Sequence, residues 1–342
     1  RSSPIDMPLA KREQLWDKSV QCSGLEKFIS QSWATPGWQK YLGLVMHVHW
    51  ARALAIGYAL FALLSILDLL GLLPVVDLGS IRSFGWEGVL LWCPLGMACP
   101  FLSVAALFAI PTVSRICGCQ SELVFLDSVC INQGDEHQKA IGVNMISAFL
   151  VHSKELLILW APSYFTRMWC VYELAVFTAL RKDVGGQVVF CPLFIRHMML
   201  FCFVAFAVAT TATVHSKWSY LAFSPGALAV FPAVHVSRKY LHEKRRMLSQ
   251  LRDFDIRKAS CREAADRSFI IGSVRRLYGS EDKFNSFVRT QLREDVLESM
   301  PGVGLDWTSM TLVCSPGALA AISMGTACYR SGIPFPSLLA WL

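Results

Sequence analysis

Four apolar windows, Ala53–Val76, Gly88–Val113, Met198–Val214 and Ser219–Val236, each approach the roughly 20 residues a helix needs to cross a hydrocarbon core. They constrain this chain more than any other feature, because backbone polar groups in lipid must be satisfied inside a helix or a closed barrel. A fifth, weaker window runs from Ser309 to Cys328. The expectation is therefore four to five transmembrane helices. Asp68 in the first window costs about 2.5–3.5 kcal/mol at mid-bilayer, while each Leu, Ile, Phe or Val beside it returns roughly 0.3–0.6 kcal/mol, so insertion wins. Pro94 and Pro100 predict a kinked or broken helix in the second window, and Pro225 and Pro232 weaken the short fourth. Composition agrees: 54% hydrophobic and 17% charged residues depart from ordinary soluble domains.

Basic residues set the orientation. Arg52, Arg115, Arg181 and Lys182 flank one side of the windows, and "SRKYLHEKRR" (Ser237–Arg246) follows the fourth on that side. The opposite loops, "DLGSIRSFGWEG" and "HSKW", carry only Arg82 and Lys217. The positive-inside rule then puts the first piece, Gln120–Arg181 and Ser237–Asp306 in the cytosol. A net charge of +7 is accounted for by this bias and by anionic lipid at Arg238–Arg246, without a nucleic-acid partner. Twelve cysteines without regular spacing read as reduced, buried small hydrophobes rather than a disulfide framework. The opening "RSSPIDMPLAKREQLW" has no signal-peptide core, and the sequence reads as part of something longer.

Between the windows lie stretches of a different character. "LEKFISQSW" reads as a short strand, and "ATPGWQKYLGLV" begins a helix after Pro36. "LVFL" and "ELLILW" are apolar runs of the kind found in buried parallel strands. "HQKAIGVNMISAFLVHS" and "RMWCVYELAVFTALRK" read as helices, the first with Ile141, Met145, Phe149 and Leu150 at helical spacing. The third piece offers a basic helix (Arg238–Arg252), a short strand "FDIRKASC" and two further helices. Strand alternating with helix predicts an α/β fold with a parallel sheet. No piece alone buries such a sheet, so one cytosolic domain is assembled from discontinuous segments. The expected division is an N-terminal segment 1–21, domain pieces 22–50, 120–186 and 237–306, hairpins 51–76 with 88–113 and 188–214 with 219–236, and a further segment 309–342.

"FISQSW", together with "FLDSVCINQGDEHQKAIGVNMISAFLVHSKELLILWAPSYFTRMWCVYELAVF", resembles a Toll/interleukin-1 receptor (TIR) domain. The family pattern falls on Phe28 to Ser30, Asp127, the Cys130–Gln138 loop, Ser153, Leu156–Leu159, Ser163 with Tyr164, and Trp169, Cys170, Glu173 and Leu174. "FLDSVCINQ" is also similar to a signature of fungal heterokaryon-incompatibility domains, and the split arrangement resembles multi-pass protist membrane proteins. The resemblance implies a flavodoxin-like sheet and signalling by self-association of the domain, hence a homo-oligomer. The pattern breaks where membrane hairpins interrupt the domain and where the third piece matches only loosely.

Glu173 is the only Asp, Glu, Lys, Arg or His side chain from Met168 to Leu180. A helix apolar on nearly every face is buried, so this carboxylate needs a partner or a pocket. Helical spacing puts it on a face with Trp169, Val176, Phe177 and Leu180. The resemblance implies that Glu173 is the catalytic glutamate with which enzymatic TIR domains cleave the nicotinamide–ribose bond of NAD. The resemblance likewise implies that Phe28, Ser30, Asp127 and Trp169 border the nucleotide. The residues alone leave a second reading open, a buried structural Glu bonded to a backbone amide or to Arg167. Asp127, at the carboxyl end of a strand, is either a ligand-site carboxylate or a pin for the loop that follows.

Other candidates carry less. Cys130 and His137 lack a third group for thiol catalysis. His47 and His49 of "HVHW" would share one face of an extended segment, with no further ligands to make a metal site. "GGQ" (Gly185–Gln187) reads as a turn before the third span. Two rival functions remain at this point: a channel or transporter with a nucleotide-sensing domain, whose pathway Asp68, Arg196 and His197 would mark, and a non-catalytic membrane scaffold.

Overall fold

The structure, a computed structural model, describes residues 7–83, 86–118, 122–181, 185–215, 223–299 and 307–333. In chain order the elements are α1 (Leu9–Trp16), β1 (Leu25–Gln31), α2 (Gly37–Leu69), β2 (Val76–Ser83), β3 (Trp86–Trp92), α3 (Cys99–Ile116), β4 (Val124–Phe125), α4 (Asp127–Cys130), α5 (Glu136–Asn144) and α6 (Ile146–Val151). They continue with β5 (Ser153–Trp160), α7 (Met168–Arg181), β6 (Gln187–Pro192), α8 (Leu193–His215), α9 (Phe223–Arg252), α10 (Ala264–Tyr278), α11 (Glu281–Phe287), α12 (Arg293–Ser299) and α13 (Trp307–Arg330). The chain divides into two compact units. The first comprises Arg1–Leu44, Cys119–His197 and Tyr240–Val303, and the second comprises Val45–Gly118, Met198–Lys239 and Gly304–Leu342.

The first unit is mixed α/β, built on a four-stranded parallel sheet of order β4–β1–β5–β6. Alternate residues along a strand face opposite sides, and the core follows that period. Phe28, Leu156, Ile158 and Trp160 enter a large cluster with α7, α10 and the elements after it, while Ile29, Leu157 and Leu159 enter a smaller one with Leu193 and Cys191. Apolar residues on both faces explain why β5 reads as an unbroken hydrophobic run. The first turns of α2 and α8 close the smaller face. A Cβ on Gly43 would collide with Leu193, and His197 Nε2 lies 2.9 Å from the Gln39 carbonyl oxygen, its ring 5.5 Å from that of Trp38.

Several local expectations change. "HQKAIGVNMISAFLVHS" is two helices, α5 and α6, meeting at Met145. "FDIRKASC" is a 3-10 turn at Ile256–Lys258, with one isolated bridge from Ser260 to Arg167, because Asp255 caps that turn by accepting from the Arg257 amide. "GGQ" leads into β6 rather than directly into a span: Gly185 takes φ of 79°, and the β-branched pair Val188–Val189 then joins the sheet beside β5.

The second unit contains most of the apolar helices. Among the described residues, three helices are long and apolar enough to cross a membrane: Gly37–Leu69, Pro94–Ile116 and Leu193–Ala212. The first starts well before the apolar window and ends at Leu69, so Val76 belongs to β2. The second window is not one helix, because its residues up to Trp92 pair antiparallel with β2 and Pro94 and Pro100 delimit a 3-10 turn before α3. The fourth window falls partly outside the described residues; what is described of it is helical and continuous with the basic run in α9. The fifth lies in α13.

Polar contacts register this unit. Arg330 Nη1 is 2.5 Å from Asp68 Oδ1, Tyr58 donates to Ser315 Oγ at 2.5 Å, and Trp92 Nε1 donates to Ser323 Oγ at 2.9 Å. Small residues allow close helix approach. A Cβ on Gly57 would collide with Ser103 Oγ and lie 3.1 Å from the Cys99 carbonyl oxygen.

Candidate functional site

In an open parallel sheet, ligands bind beyond the carboxyl ends of the strands where the strand order reverses. Here that point lies between β1 and β5. The loop after β1 brings Ser32, Trp33 and Thr35 to it, the loop after β5 brings Ser163 and Tyr164, and α7 brings Cys170 and Glu173. Ser30, Ser32, Thr35, Tyr164 and Glu173 are all buried.

Glu173 sits at the centre of this group. Its Oε2 is 2.5 Å from Ser30 Oγ, which is 2.7 Å from the Tyr164 hydroxyl, and Tyr164 donates to the Cys170 carbonyl at 3.3 Å. Burial raises the Glu173 pKa from the ordinary 4.5 to about 8, against a hydrogen bond from Ser30 that favours the anion; the charge of Asp127 raises it further. Ser30 Oγ donates to the Glu173 carboxyl, and the Tyr164 hydroxyl, in contact with Ser30 Oγ, donates to the Cys170 carbonyl. Neither alternative read from the sequence, a backbone amide or Arg167, supplies the partner: it is the Ser30 hydroxyl. Of the four residues at helical spacing from Glu173, Val176 and Phe177 are buried core, Trp169 turns toward Asp266, and Leu180 is exposed. α7 is apolar almost all round, and its face toward β1 is marked by Cys170, whose thiol reaches the Gln31 carbonyl at 3.4 Å.

Asp127 belongs to a second polar group at the same end of the sheet. Its carboxylate accepts from Trp33 Nε1 at 2.5 Å, from the Ser128 amide at 2.7 Å and from Gln31 Nε2 at 2.9 Å. Burial pushes its pKa up, and these three donors together with the nearby Lys40 ammonium oppose the shift. Lys40, on the second turn of α2, also donates to the Ser32 carbonyl at 3.4 Å. Asp127 thus pins the loop after β1 as well as opening α4.

Two residues expected to border a nucleotide sit elsewhere. Phe28 is fully buried, stacked on Phe125 with ring centroids 4.5 Å apart, so it is core. Trp169 faces α10, donating from Nε1 to Asp266 at 3.0 Å and packing edge-on against Tyr172. Cys130 accepts from the Leu126 amide at 3.5 Å, and the exposed His137 has its backbone amide on Asp135. His47 and His49 lie on a helix, where residues two apart do not share a face as they would in an extended segment. Asp68 is paired with Arg330, and Arg196 reaches the Cys191 thiol.

The sequence reading did not single out Tyr164, Ser32 or Lys40 as site residues. Tyr164 stood inside the "S-x-Y" motif, and its role shows only when β1 and β5 lie side by side. Two cavities, of about 530 Å³ and 330 Å³, open elsewhere on the first unit, and neither is lined by Glu173. The carboxyl is enclosed as it stands.

No family model matches the chain, and no curated protein or solved structure matches it.

Proposed function

We propose that the chain is a multi-pass membrane protein whose first unit is a TIR-like signalling domain on the cytosolic side, acting by self-association. The observation that carries this reading is the convergence of Ser30, Tyr164 and Glu173. Three motifs lying far apart in sequence, "FISQ", "SYF" and "WCVYEL", meet through side-chain hydrogen bonds at the carboxyl end of the sheet. A strand order of β4–β1–β5–β6 agrees with a flavodoxin-like arrangement.

Five passes, with α9 and α13 joining the three helices long and apolar enough to cross a membrane, give the topology this reading needs. Asp68 and Arg330 stand at the carboxyl ends of the first and fifth helices. Both helices are outward passes from the cytosol, so a pair between their far ends supports the odd-numbered assignment. On the cytosolic side Arg238, Lys239, Arg245 and Arg246 are exposed for anionic headgroups. Because Asp68 is committed to Arg330, its charge speaks for helix assembly more than for an ion pathway.

Cleavage of NAD is the catalytic arm of the same proposal. Positive charge that develops on the ribose is stabilised by a carboxylate, so Glu173 has to be ionised and uncovered to act. In the closed arrangement it is neither, which makes opening on self-association the condition for turnover. The test is nicotinamide release from NAD by protein reconstituted in vesicles, wild type beside Glu173→Ala. Release that needs Glu173 supports the catalytic arm; no release from folded wild-type protein at any density removes it and leaves an interaction module.

A further inference from the structure

The 530 Å³ cavity of the first unit carries a thiol in each of two walls. One wall is the segment Ser19–Leu25, which brings Cys22; the other is formed by Phe125, Phe149 and Cys130. Cys22 is exposed, and Cys130, the last residue of α4, is half-buried. Burial pushes the Cys130 thiol up, a bond from the Leu126 amide opposes the shift, and the charges of Asp127 and Cys22 add to it. The two sulfurs therefore lie within electrostatic reach of one another.

The walls differ in how they are held. Cys130 Sγ is fixed on a short helix, 3.5 Å from the Leu126 amide and 3.9 Å from the Val124 carbonyl oxygen. On the other side the Ser19 amide donates to the Trp16 carbonyl at 2.9 Å and the Leu25 amide to the His152 carbonyl at 3.1 Å. Between these anchors, Val20–Gly24 hydrogen-bond to no described residue, and Gly24 has open space where a Cβ would go. A disulfide needs the two Cα atoms within about 7 Å, and this unbonded strap is the part that can shift to meet that demand without breaking a backbone bond.

We propose that Cys22 and Cys130 form a peroxide-responsive dithiol whose disulfide closes the strap over the cavity. The Cys22 thiolate attacks hydrogen peroxide: an S–O bond forms, the O–O bond breaks, and hydroxide leaves as water after taking a proton. Cys130 then attacks the Cys22 sulfur, so that the S–S bond forms, the S–O bond breaks and a second water departs with the Cys130 proton. Two thiols are oxidised to one disulfide, and one peroxide is reduced to two waters. Because Cys130 ends the helix that Asp127 begins, the bond ties the strap ahead of β1 to the helix whose first residue holds Trp33 and Gln31. This inference does not rest on the function proposed above.

The experiment uses the whole chain in lipid vesicles, wild type beside Cys22→Ser and, separately, Cys130→Ser, each treated with hydrogen peroxide, alkylated and digested without reductant. Mass spectrometry reads the state of both thiols, and hydrogen exchange reads the strap. In the wild type both thiols should be lost together to one linked peptide pair, exchange across 19–24 should slow, and dithiothreitol should restore both. In Cys130→Ser the Cys22 sulfenic acid lacks its resolving thiol and should be trapped by dimedone, whereas Cys22→Ser should leave Cys130 open to alkylation. Cys22→Ser lies on an exposed strap, so the test stands even if Cys130→Ser folds poorly. Cys22 oxidised to sulfinic acid while Cys130 stays alkylatable in the wild type overturns the proposal. A disulfide from Cys22 to any other cysteine overturns it as well, and so does a wild-type chain in which neither thiol reacts.

Discussion

Ser30 Oγ lies 2.5 Å from Glu173 Oε2, a contact that joins the central strand to an otherwise apolar helix inside the core. The geometry keeps the carboxyl close to neutral at physiological pH, and its consequences can be measured.

The first concerns pH. Unfolded, Glu173 titrates near the ordinary 4.5; folded, it titrates at about 8. Between those values the native chain holds a proton the unfolded chain has released, so stability falls as pH rises. The contribution of neutral Glu173 is fully present below about 4.5 and is lost as pH rises through about 8. Glu173→Gln, which is neutral throughout, should match the wild type at pH 5 and exceed it by a few kcal/mol at pH 9. Melting curves of both proteins across that range check it, and a gap independent of pH would contradict it.

Asp127 serves donors on both oxygens. Asp127→Asn turns one acceptor into a donor facing Trp33, or facing Gln31 and the Ser128 amide, and should cost about 1–3 kcal/mol. The unfolding midpoint and hydrogen exchange at the Ser128 amide report it. Exchange as slow as in the wild type would mean the carboxylate does not hold this loop.

Removing one member of the Asp68–Arg330 pair strands the other charge. Arg330→Met alone should destabilise by about 3–5 kcal/mol, whereas Asp68→Asn combined with Arg330→Met should recover most of that loss. Thermal unfolding in detergent distinguishes the two. A double variant as unstable as the sum of the singles would show that the residues are not coupled.

Helix packing gives a paired prediction. Gly57→Val drives a side chain into Ser103 and the Cys99 carbonyl, and should cost about 1–3 kcal/mol. Gly325, inside α13, has open space where a Cβ would go, so Gly325→Ala should be neutral or gain up to about 1 kcal/mol. Equal melting temperatures for the two variants would contradict the close approach of α2 and α3.

Much of the fold is legible in the sequence where one physical signal dominates. "ELLILW" becomes β5 and "RMWCVYELAVFTALR" becomes α7, because strands and helices buried on all sides carry unbroken apolar runs. Signals that compete are harder to read. "QVVFCP" runs directly into α8, so its strand is hidden in the expected hairpin segment 188–214, and only its β-branched residues distinguish it. Gly88–Trp92 is masked in the same way and pairs in a hairpin. In the site, Glu173 stands out as a lone charge in an apolar helix, yet its partner does not. Ser30 lies 143 positions away, and nothing local pairs a strand serine with a helix glutamate. Phe28 lies on the same strand face as Ser30 but stacks on Phe125 in the core, and Trp169 turns toward α10.

Self-association of the α/β unit is the central proposal, and it is tested most directly by energy transfer between labelled copies of the whole chain in vesicles of two protein-to-lipid ratios. The account predicts transfer that rises with density beyond what random proximity gives and that unlabelled wild-type chain competes away. Transfer that stays at the random level at both densities, from protein shown to be folded, would contradict it.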